Sequence, residues 1–203
     1  MKVRDFLADE LPPLRWKGEL ALPGDVPIDL EIGCGVGLHP ILYATKNPGR
    51  VLIAIEHTKT RFSKFRNRLQ HHPHIKNIIP IHEDAVLWVS KILLEHSVDK
   101  IFLLYPNPYP KARHLNKRWY AMPFMSCLLS KLKIQGTLTI ATNEKFYGEG
   151  AFEYFTSYWE LELKDREVIQ KKTHPEYAPR SHFEKKYFER GDNLYRLTFS
   201  KVY

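Results

Sequence analysis

The side chains best suited to chemistry lie between Pro106 and Arg118. This segment reads Pro-Asn-Pro-Tyr-Pro-Lys-Ala-Arg-His-Leu-Asn-Lys-Arg and directly follows an apolar run, Ile101 to Tyr105. Its three prolines fix the backbone in an extended path and prevent a helix from starting, so its side chains take defined positions. Asn107 offers an amide at the end of the predicted strand, and the basic residues after it can bind phosphates. A solvated basic loop is the alternative.

A second segment with ligand-binding character covers residues 29–37. It reads Asp-Leu-Glu-Ile-Gly-Cys-Gly-Val-Gly, an apolar strand that ends in Gly33, Gly35 and Gly37. Glycines at such a turn let the chain bend sharply and leave room for a ligand against the backbone. A strand-to-helix turn that only needs positive φ angles would use the same residues, so the glycine spacing alone is weak evidence.

Acidic residues at the ends of three predicted strands strengthen the ligand interpretation. Glu56 follows the second strand, where a carboxylate can accept both hydroxyls of an adenosine ribose. A Gly-x-Gly-x-Gly turn after an acid is more typical of an S-adenosylmethionine site than of a dinucleotide site. In such a site Glu31 faces the methionine end of the cofactor and Asp84, after the third strand, faces the adenine edge.

These segments together resemble the signature of the tRNA (guanine-N7-)-methyltransferases. In that family a strand-ending Pro-Asp-Pro-Trp-Pro-Lys-x-Arg-His is followed by further basic residues, and the resemblance covers residues 28–200. It implies an enzyme that transfers a methyl group from S-adenosylmethionine to N7 of a guanine in tRNA. By matched position, it implies Asn107 as the catalytic residue, cofactor binding by the glycine turn with Glu31, Glu56, Asp84 and Asn107, and RNA binding by Lys111, Arg113, Asn143, Ser181 and Glu184.

The segment Pro179-Arg-Ser-His-Phe-Glu184 resembles the Thr-x-x-Glu motif of the same family, with Ser181 in place of threonine. A hydroxyl and a carboxylate three residues apart can hydrogen-bond to the edge of a guanine. The same letters spell a helix capping box, with Ser181 as the cap and Glu184 as its partner. Both interpretations stay open, and they are compatible with each other.

Two acids of the family pattern are amides in this chain. Asn107 replaces the aspartate of Pro-Asp-Pro-Trp, with Tyr109 for the tryptophan, and Asn143 replaces the aspartate of Ala-Thr-Asp. Methylation of guanine N7 removes no proton, so no general base is needed, but the base becomes cationic. If an amide stabilises this charge less well by ~1.5 to 3 kcal/mol, the rate falls roughly 10- to 150-fold. We therefore expect a working but slower enzyme, or one with a shifted substrate.

Two other functions are compatible with these residues. Asn107-Pro-Tyr109 is also typical of methyltransferases that act on exocyclic amines, so another nucleobase or an exocyclic amine is one alternative substrate. A catalytically silent RNA-binding homologue that has lost both acids is the other. Detection of a methylated product distinguishes the enzymes from the silent homologue, whereas cofactor binding does not.

The pattern of apolar segments predicts an α/β fold with a parallel sheet, because strands alternate with helices. Strands are predicted at Ile28–Ile32, Val51–Ile55, Ile78–His82, Ile101–Tyr105, Thr137–Ala141 and Asn193–Val202, and helices at Lys59–His72, Asp84–Glu95, Trp119–Leu132 and Glu149–Trp159. With the resemblance, we expect a Rossmann-like class I methyltransferase with a seven-stranded, mostly parallel sheet and helices on both faces. Residues 1–203 are predicted as a single domain, with an irregular arm at 1–25, a cofactor-binding core at 28–143 and substrate-side elements at 144–203.

The composition favours a polyanionic partner, since 31 Lys and Arg against 23 Asp and Glu give a formal net charge of +8. Nucleic acid, here tRNA, is preferred over an anionic membrane. No apolar run reaches the ~20 residues of a membrane span, and the start of the chain lacks the apolar core of a signal peptide, so we expect a cytoplasmic protein. Cys34 and Cys127 form no Cys-x-x-Cys pair, and neither a disulfide nor a metal site is predicted. A monomer and a homodimer are both compatible with the sequence.

Overall fold

A seven-stranded sheet forms the centre of the molecule. The computed structural model describes residues 3–20, 22 and 26–203, so positions 1, 2, 21 and 23–25 of the predicted N-terminal arm lie outside the described residues. The strand order is β3-β2-β1-β4-β5-β7-β6. The strands are β1 (Ile28–Ile32), β2 (Val51–Ile55), β3 (Ile78–Ile81), β4 (Val98–Leu104), β5 (Leu132–Thr142), β6 (Glu162–Ile169) and β7 (Leu194–Ser200). The first five pair in parallel, and β7 runs antiparallel to both β5 and β6.

In the part of the chain that the structure describes, six α-helices connect the strands. They are α1 (Leu38–Lys46), α2 (Lys59–Gln70), α3 (Ala85–Ile92), α4 (Phe124–Lys131), α5 (Lys145–Ser157) and α6 (His182–Arg190). Short 3₁₀ turns occur at Ala8–Glu10, Ala112–Lys117 and Trp119–Ala121.

Helices cover both faces of the sheet, as the alternating side chains of β2 show. Ile53 and Ile55 belong to the large core cluster that also contains Trp88 of α3, whereas Ala54 packs in a separate cluster with Ile41 of α1. β1 and β2 are buried along their whole length. This burial on both sides explains why these two strands are continuous apolar runs in the sequence.

The predicted fold class and the parallel order of the first five strands are confirmed. Several boundaries differ from the prediction. β4 begins at Val98 and β5 at Leu132, earlier than predicted, and the predicted helix 119–132 is a 3₁₀ turn followed by α4. The predicted helix at Glu149–Trp159 begins at Lys145 instead. The sequence did not indicate this start because Gly148 and Gly150, which disfavour helix formation, lie in its first two turns.

One strand near the C-terminus was not located from the sequence. β6 is an edge strand whose central residues are exposed and charged, so it lacks an alternating apolar pattern. α6 begins at His182, directly after the Ser181 of the capping-box interpretation, but the extent of this helix was not predicted. β7 and β6 extend the sheet beyond β5, and α6 lies between these two strands in the chain.

Candidate cofactor and substrate site

A cleft of about 740 Å³ opens at the carboxyl ends of the parallel strands. It lies where the strand order reverses between β1 and β4, which is the usual ligand position in open α/β sheets. The turn after β1, the ends of β2 and β4, the start of α3 and the first half of α6 form its walls. A smaller cavity of about 60 Å³ adjoins it and is lined by Glu31, Gly35, His39 and Ser181. Gly33, Arg61, Leu104 and Phe183 line both spaces.

The three glycines of the turn after β1 are needed for two different reasons. Gly33, Gly35 and Gly37 have φ angles of 77°, 60° and 81°, in the left-handed region. A Cβ added at Gly33 or Gly35 would meet no atom within 4 Å, so these two positions leave open space for a ligand. A Cβ at Gly37 would lie 1.9 Å from Cδ2 of Phe65, and Gly37 lines neither cavity. Gly37 is therefore required by helix packing.

Glu56 at the end of β2 is held by two backbone groups. Its Oε2 accepts from the Gly35 N–H at 2.9 Å, and its Oε1 accepts from the Thr58 N–H at 2.7 Å. The residue is only 4% exposed, yet it lines the cleft. Each carboxylate oxygen keeps a second acceptor position, so the group remains able to accept from a ligand hydroxyl.

Glu31 lies deep beside the smaller cavity and bonds to a histidine. Its Oε2 is 2.7 Å from Nδ1 of His39, and both residues are buried. The His39 ring packs edge-on against Phe102 at 5.3 Å. Burial, followed by the charges of Glu31 and Glu56, raises the pKa of the Cys34 thiol well above its ordinary value, so this thiol in the glycine turn stays neutral.

Asp84 caps the helix at the far side of the cleft. Its Oδ1 accepts from the Leu87 N–H at 3.2 Å, which makes it the N-cap of α3. The neighbouring Glu83 accepts from the Asp84 N–H and, through its other oxygen, from the Trp16 N–H at 3.1 Å. The Trp16 ring packs edge-on against Trp88 at 5.6 Å, so the N-terminal arm supports this wall of the cleft.

The proline-rich loop after β4 has a fixed backbone. Tyr105 and Tyr109 have positive φ angles of 53° and 44°. Asn107 is exposed on the cleft wall, and its Oδ1 accepts from the Tyr109 N–H at 3.3 Å. Arg118 donates to the carbonyls of Tyr109 and Pro110, and its guanidinium lies over the Phe146 ring. These contacts anchor the loop.

The capping interpretation of Ser181 is correct. Ser181 is the N-cap of α6, and its Oγ accepts from the Glu184 N–H at 3.1 Å. The Glu184 carboxylate accepts from the N–H of Arg180, one residue before the cap, and from the hydroxyl of Tyr105 at 3.1 Å. It is 2% exposed and also faces the guanidinium of Arg196.

Burial and neighbouring charges fix the protonation states of Glu184 and Tyr105. Burial alone would raise the pKa of Glu184, but the charge and N–H of Arg180 and the charge of Arg196 outweigh it and hold this pKa below its ordinary value of 4.5. Burial, followed by the charge of Glu184, raises the pKa of Tyr105 well above its ordinary value of 10.0. Tyr105 therefore donates to a charged carboxylate at neutral pH.

Asn143 at the end of β5 lies between two acids. Its Nδ2 donates to Oδ2 of Asp192 at 3.1 Å and to Oε1 of Glu144 at 3.2 Å. Asp192 also pairs with Arg190, whose hydrogen bonds hold the pKa of Asp192 below its ordinary value of 3.8. The position at which the family pattern has an acid thus holds an amide with an acid beside it.

The cleft brings together Gly33, Glu56, Asp84 and Asn107, and the smaller cavity adds Glu31, Gly35 and Ser181. Lys111 and Arg113 are exposed on the 3₁₀ segment beyond the cleft wall. Asn143 and Glu184 line neither cavity. Glu184 contacts Tyr105, which lines the cleft, and Asn143 follows β5 at the same edge of the sheet.

Sequence reasoning did not assign several residues that line these cavities, among them Arg61, Phe183 and His39. Arg61 of α2 and Phe183 of α6 meet across the cleft, with the guanidinium carbon 5.7 Å from the ring centroid. His39 was missed as the partner of Glu31. Phe183 lies inside the Ser-x-x-Glu motif, so its position was a usable signal, whereas the contact of Arg61 depends on the packing of α6 over α2 and has no local signature.

The chain is similar to known methyltransferases over most of its length. The family model described as a putative methyltransferase matches residues 25–197. The tRNA (guanine-N(7)-)-methyltransferase of Nitrosomonas eutropha is 30% identical over 176 residues, 87% of this chain and 77% of that protein. The enzyme of the same name from Salmonella choleraesuis is 29% identical over 182 residues, 88% of this chain and 74% of that protein.

Solved structures share the fold at low sequence identity. The 16S rRNA methyltransferase KamB superimposes with a TM-score of 0.61 at 15% identity, covering 87% of this chain and 88% of that one. A 16S rRNA (adenine(1408)-N(1))-methyltransferase from Catenulisporales acidiphilia gives 0.58 at 12% identity, with 87% and 86% covered. Because the family model and the sequence relatives both extend over most of the chain, this protein belongs to the tRNA (guanine-N(7)-)-methyltransferase family.

Proposed function

We propose that this protein transfers the methyl group of S-adenosylmethionine to N7 of a guanine in tRNA. The observation that carries the proposal is the arrangement around Glu56. Its carboxylate is fixed by the glycine turn and lines the cleft, and Asn107 lines the same cleft. Family membership supplies the reaction, and this cleft supplies a place for it.

The residues present fit the cofactor. The open space beside Gly33 and Gly35 accommodates a ligand against the backbone, and acidic side chains line the two adjoining spaces. We assign the ribose hydroxyls to Glu56, the methionine end to Glu31 and the adenine edge to Asp84. S-adenosylmethionine supplies an electrophilic methyl group on a sulfonium.

The protein's own contribution is alignment. Guanine N7 carries a lone pair and no proton, so no residue of the site needs to act as a base. Pro106, Pro108 and Pro110 and the hydrogen bond of Asn107 to the Tyr109 N–H hold the loop in one conformation. We propose that Asn107 orients the reacting groups through its amide, since well-aligned reactants lose most of the entropic part of the barrier.

The RNA side of the site consists of basic residues beyond the cleft wall. Lys111, Arg113 and Lys117 are exposed, whereas Arg118 is occupied by contacts with loop carbonyls. We propose that they bind tRNA phosphates and that Ser181 and Asn143 face the target nucleotide. In this assignment residues 28–143 bind the cofactor, residues 144–203 complete the substrate side and the whole chain works as one domain.

The site of action follows from the proposed substrate, so we place the activity in the cytoplasm, with the protein acting as a monomer or a homodimer. Among the described residues no helix is long and apolar enough to cross a membrane.

The deciding experiment identifies the methylated nucleoside. Purified protein is incubated with labelled S-adenosylmethionine and unmodified bulk tRNA, and the digested RNA is analysed by mass spectrometry. We expect 7-methylguanosine. A different methylated base or a methylated exocyclic amine would favour the substrate alternatives that Asn107-Pro-Tyr109 suggests, and no product would favour a silent RNA-binding homologue.

The matched control is Gly49→Ala, since Gly49 is exposed at the turn before β2 and a Cβ there meets no atom within 4 Å. It should keep full activity. Glu56→Ala should abolish product formation at cofactor concentrations that saturate the wild-type protein, because the ribose loses its acceptor.

A further inference from the structure

We propose that Asp192 is a positioning residue that, together with Glu144, orients the amide of Asn143 so that it acts on the substrate as a hydrogen-bond acceptor. The proposal rests on the function proposed above, because it assigns a role to a residue of the same site. It concerns the position at which the family pattern has an aspartate and this chain has an asparagine.

The first step is the location of Asn143. β5 pairs with β4 as far as Leu104 and Ala141, and the Tyr105 N–H then donates to the Ala141 carbonyl at 2.7 Å. Asn143 follows two residues later, at the same sheet edge as the cleft. Tyr105 at the end of the neighbouring β4 lines that cleft, so Asn143 lies beside the cleft at the carboxyl edge of the sheet, although it lines neither cavity.

The second step is the direction of the amide. Nδ2 of Asn143 donates to Asp192 at 3.1 Å and to Glu144 at 3.2 Å, which uses both of its N–H groups. The reverse orientation would place the amide oxygen against two carboxylate oxygens. This repulsion selects one orientation of the amide, although its oxygen and nitrogen ends are nearly identical in shape.

The third step concerns which hydrogen-bonding group of Asn143 remains available to a substrate. Within residues 26–203 we find no donor to Oδ1 of Asn143. With both N–H groups committed to acids, the amide presents only an acceptor, and the donated hydrogen bonds polarise its carbonyl. An acceptor is what the donor edge of guanine, with its N1–H and exocyclic amine, requires. The amide thus reproduces the acceptor role of an aspartate, with the negative charge moved to Asp192.

A consequence concerns the simplest attempt to restore the family pattern. Asn143→Asp would place a third carboxylate beside Asp192 and Glu144. We therefore expect this substitution to weaken the site, although it recreates the family sequence. The exchange Asn143→Asp with Asp192→Asn keeps one acid and one amide in the pair, since the new amide at position 192 can donate to the new carboxylate at position 143.

The experiment measures kcat and KM for bulk tRNA in four variants. Asp192→Asn should lower kcat/KM by about 3- to 10-fold, mainly through KM for tRNA, because the amide of Asn143 is then free to turn. Asn143→Asp should lose at least as much. The double exchange should return to within about twofold of the wild-type protein, as expected for strongly coupled neighbours.

The matched control is Arg190→Gln, which breaks the ion pair of Asp192 but leaves its carboxylate beside Asn143. It should stay within about twofold of the wild-type protein in KM. If Arg190→Gln reproduced the loss of Asp192→Asn, the ion pair and not the amide orientation would carry the effect. A double exchange no better than Asp192→Asn alone would also overturn the proposal.

An NMR measurement that does not depend on catalytic turnover separates this proposal from the proposed function. The side-chain amide protons of Asn143, assigned by their loss in Asn143→Asp, should shift in the ¹⁵N-correlated NMR spectrum of Asp192→Asn and change little in Arg190→Gln. If those shifts occur and the wild-type protein forms no 7-methylguanosine, the orientation stands and the proposed function fails. If Asp192→Asn leaves the amide protons unchanged, the orientation fails whatever the activity.

Discussion

The hydroxyl of Tyr105 donates to Oε1 of Glu184 at 3.1 Å and joins the end of β4 to the first turn of α6. Tyr105 has a φ of 53°, a conformation that a bulky residue adopts only when its surroundings impose it. The partner carboxylate belongs to the cap of a helix whose Phe183 reaches over the cleft. This hydrogen bond therefore connects the proline-rich loop to α6, and both line the cleft.

Tyr105→Phe should lower the free energy of unfolding by about 1–2 kcal/mol, because a hydrogen bond to a charged group is lost. Urea denaturation measures the change. Tyr203→Phe is the control, since Tyr203 is 85% exposed and should leave the midpoint unchanged. Equal midpoints for Tyr105→Phe and the wild-type protein would show that the bond contributes nothing to stability.

The pH dependence of stability should contain a contribution from Glu184. Its folded pKa lies below the ordinary value of 4.5, so the unfolded chain takes up this proton first as the pH falls. Stability from Glu184 is therefore fully present above pH 4.5 and is lost as the pH falls through the folded pKa. Urea midpoints between about pH 7 and pH 3 should fall more steeply for the wild-type protein than for Glu184→Gln. Parallel curves would contradict the assignment.

Two glycines of the same turn should respond differently to alanine. Gly37→Ala places a Cβ 1.9 Å from the Phe65 ring and should lower stability by more than about 3 kcal/mol or prevent folding. Gly33→Ala meets no atom and should lower stability by only about 1–2 kcal/mol, the penalty of its positive φ. Calorimetry with S-adenosylhomocysteine should nevertheless show weaker binding for Gly33→Ala, because its methyl group enters the cleft. Unchanged affinity would argue against a ligand at this turn.

Asp84 combines a cap with a cofactor contact, and two substitutions separate them. Asp84→Ser keeps a capping oxygen for the Leu87 N–H, so stability should remain within about 0.5 kcal/mol of the wild-type protein. Asp84→Ala should be less stable by about 1 kcal/mol. Both should weaken binding of S-adenosylhomocysteine to a similar extent. If Asp84→Ser bound as tightly as the wild-type protein, the carboxylate would have only the capping role.

The basic segment should control the salt dependence of tRNA binding. The double variant Lys111→Ala/Arg113→Ala removes two proposed phosphate contacts, so the slope of log K against log salt should become shallower by roughly 1.5. Lys46→Ala/Lys91→Ala is the control, because both lysines are exposed in the last turns of α1 and α3, at the opposite edge of the sheet. An unchanged slope in the Lys111/Arg113 variant would place the RNA elsewhere.

The sequence predicted those parts of the fold that local patterns encode. β1 and β2 are buried on both faces and were located to the residue, whereas the exposed edge strand β6 left no pattern to detect. The glycine turn and Glu56 were predicted from spacing, and Gly33 and Glu56 line one cleft. The contact of Asn143 with Asp192 joins residues 49 positions apart, so only the folded chain brings it to light.

The two hydrogen bonds that Glu56 accepts from Gly35 and Thr58 also affect how a ligand is received. A carboxylate that already occupies one rotamer loses no further side-chain freedom on binding, a saving of about 0.5–1.5 kcal/mol for an ordered side chain. Because one of its two donors is the glycine turn itself, the acid and the turn form a rigid unit. Recognition at this wall of the cleft is therefore closer to lock-and-key than to induced fit.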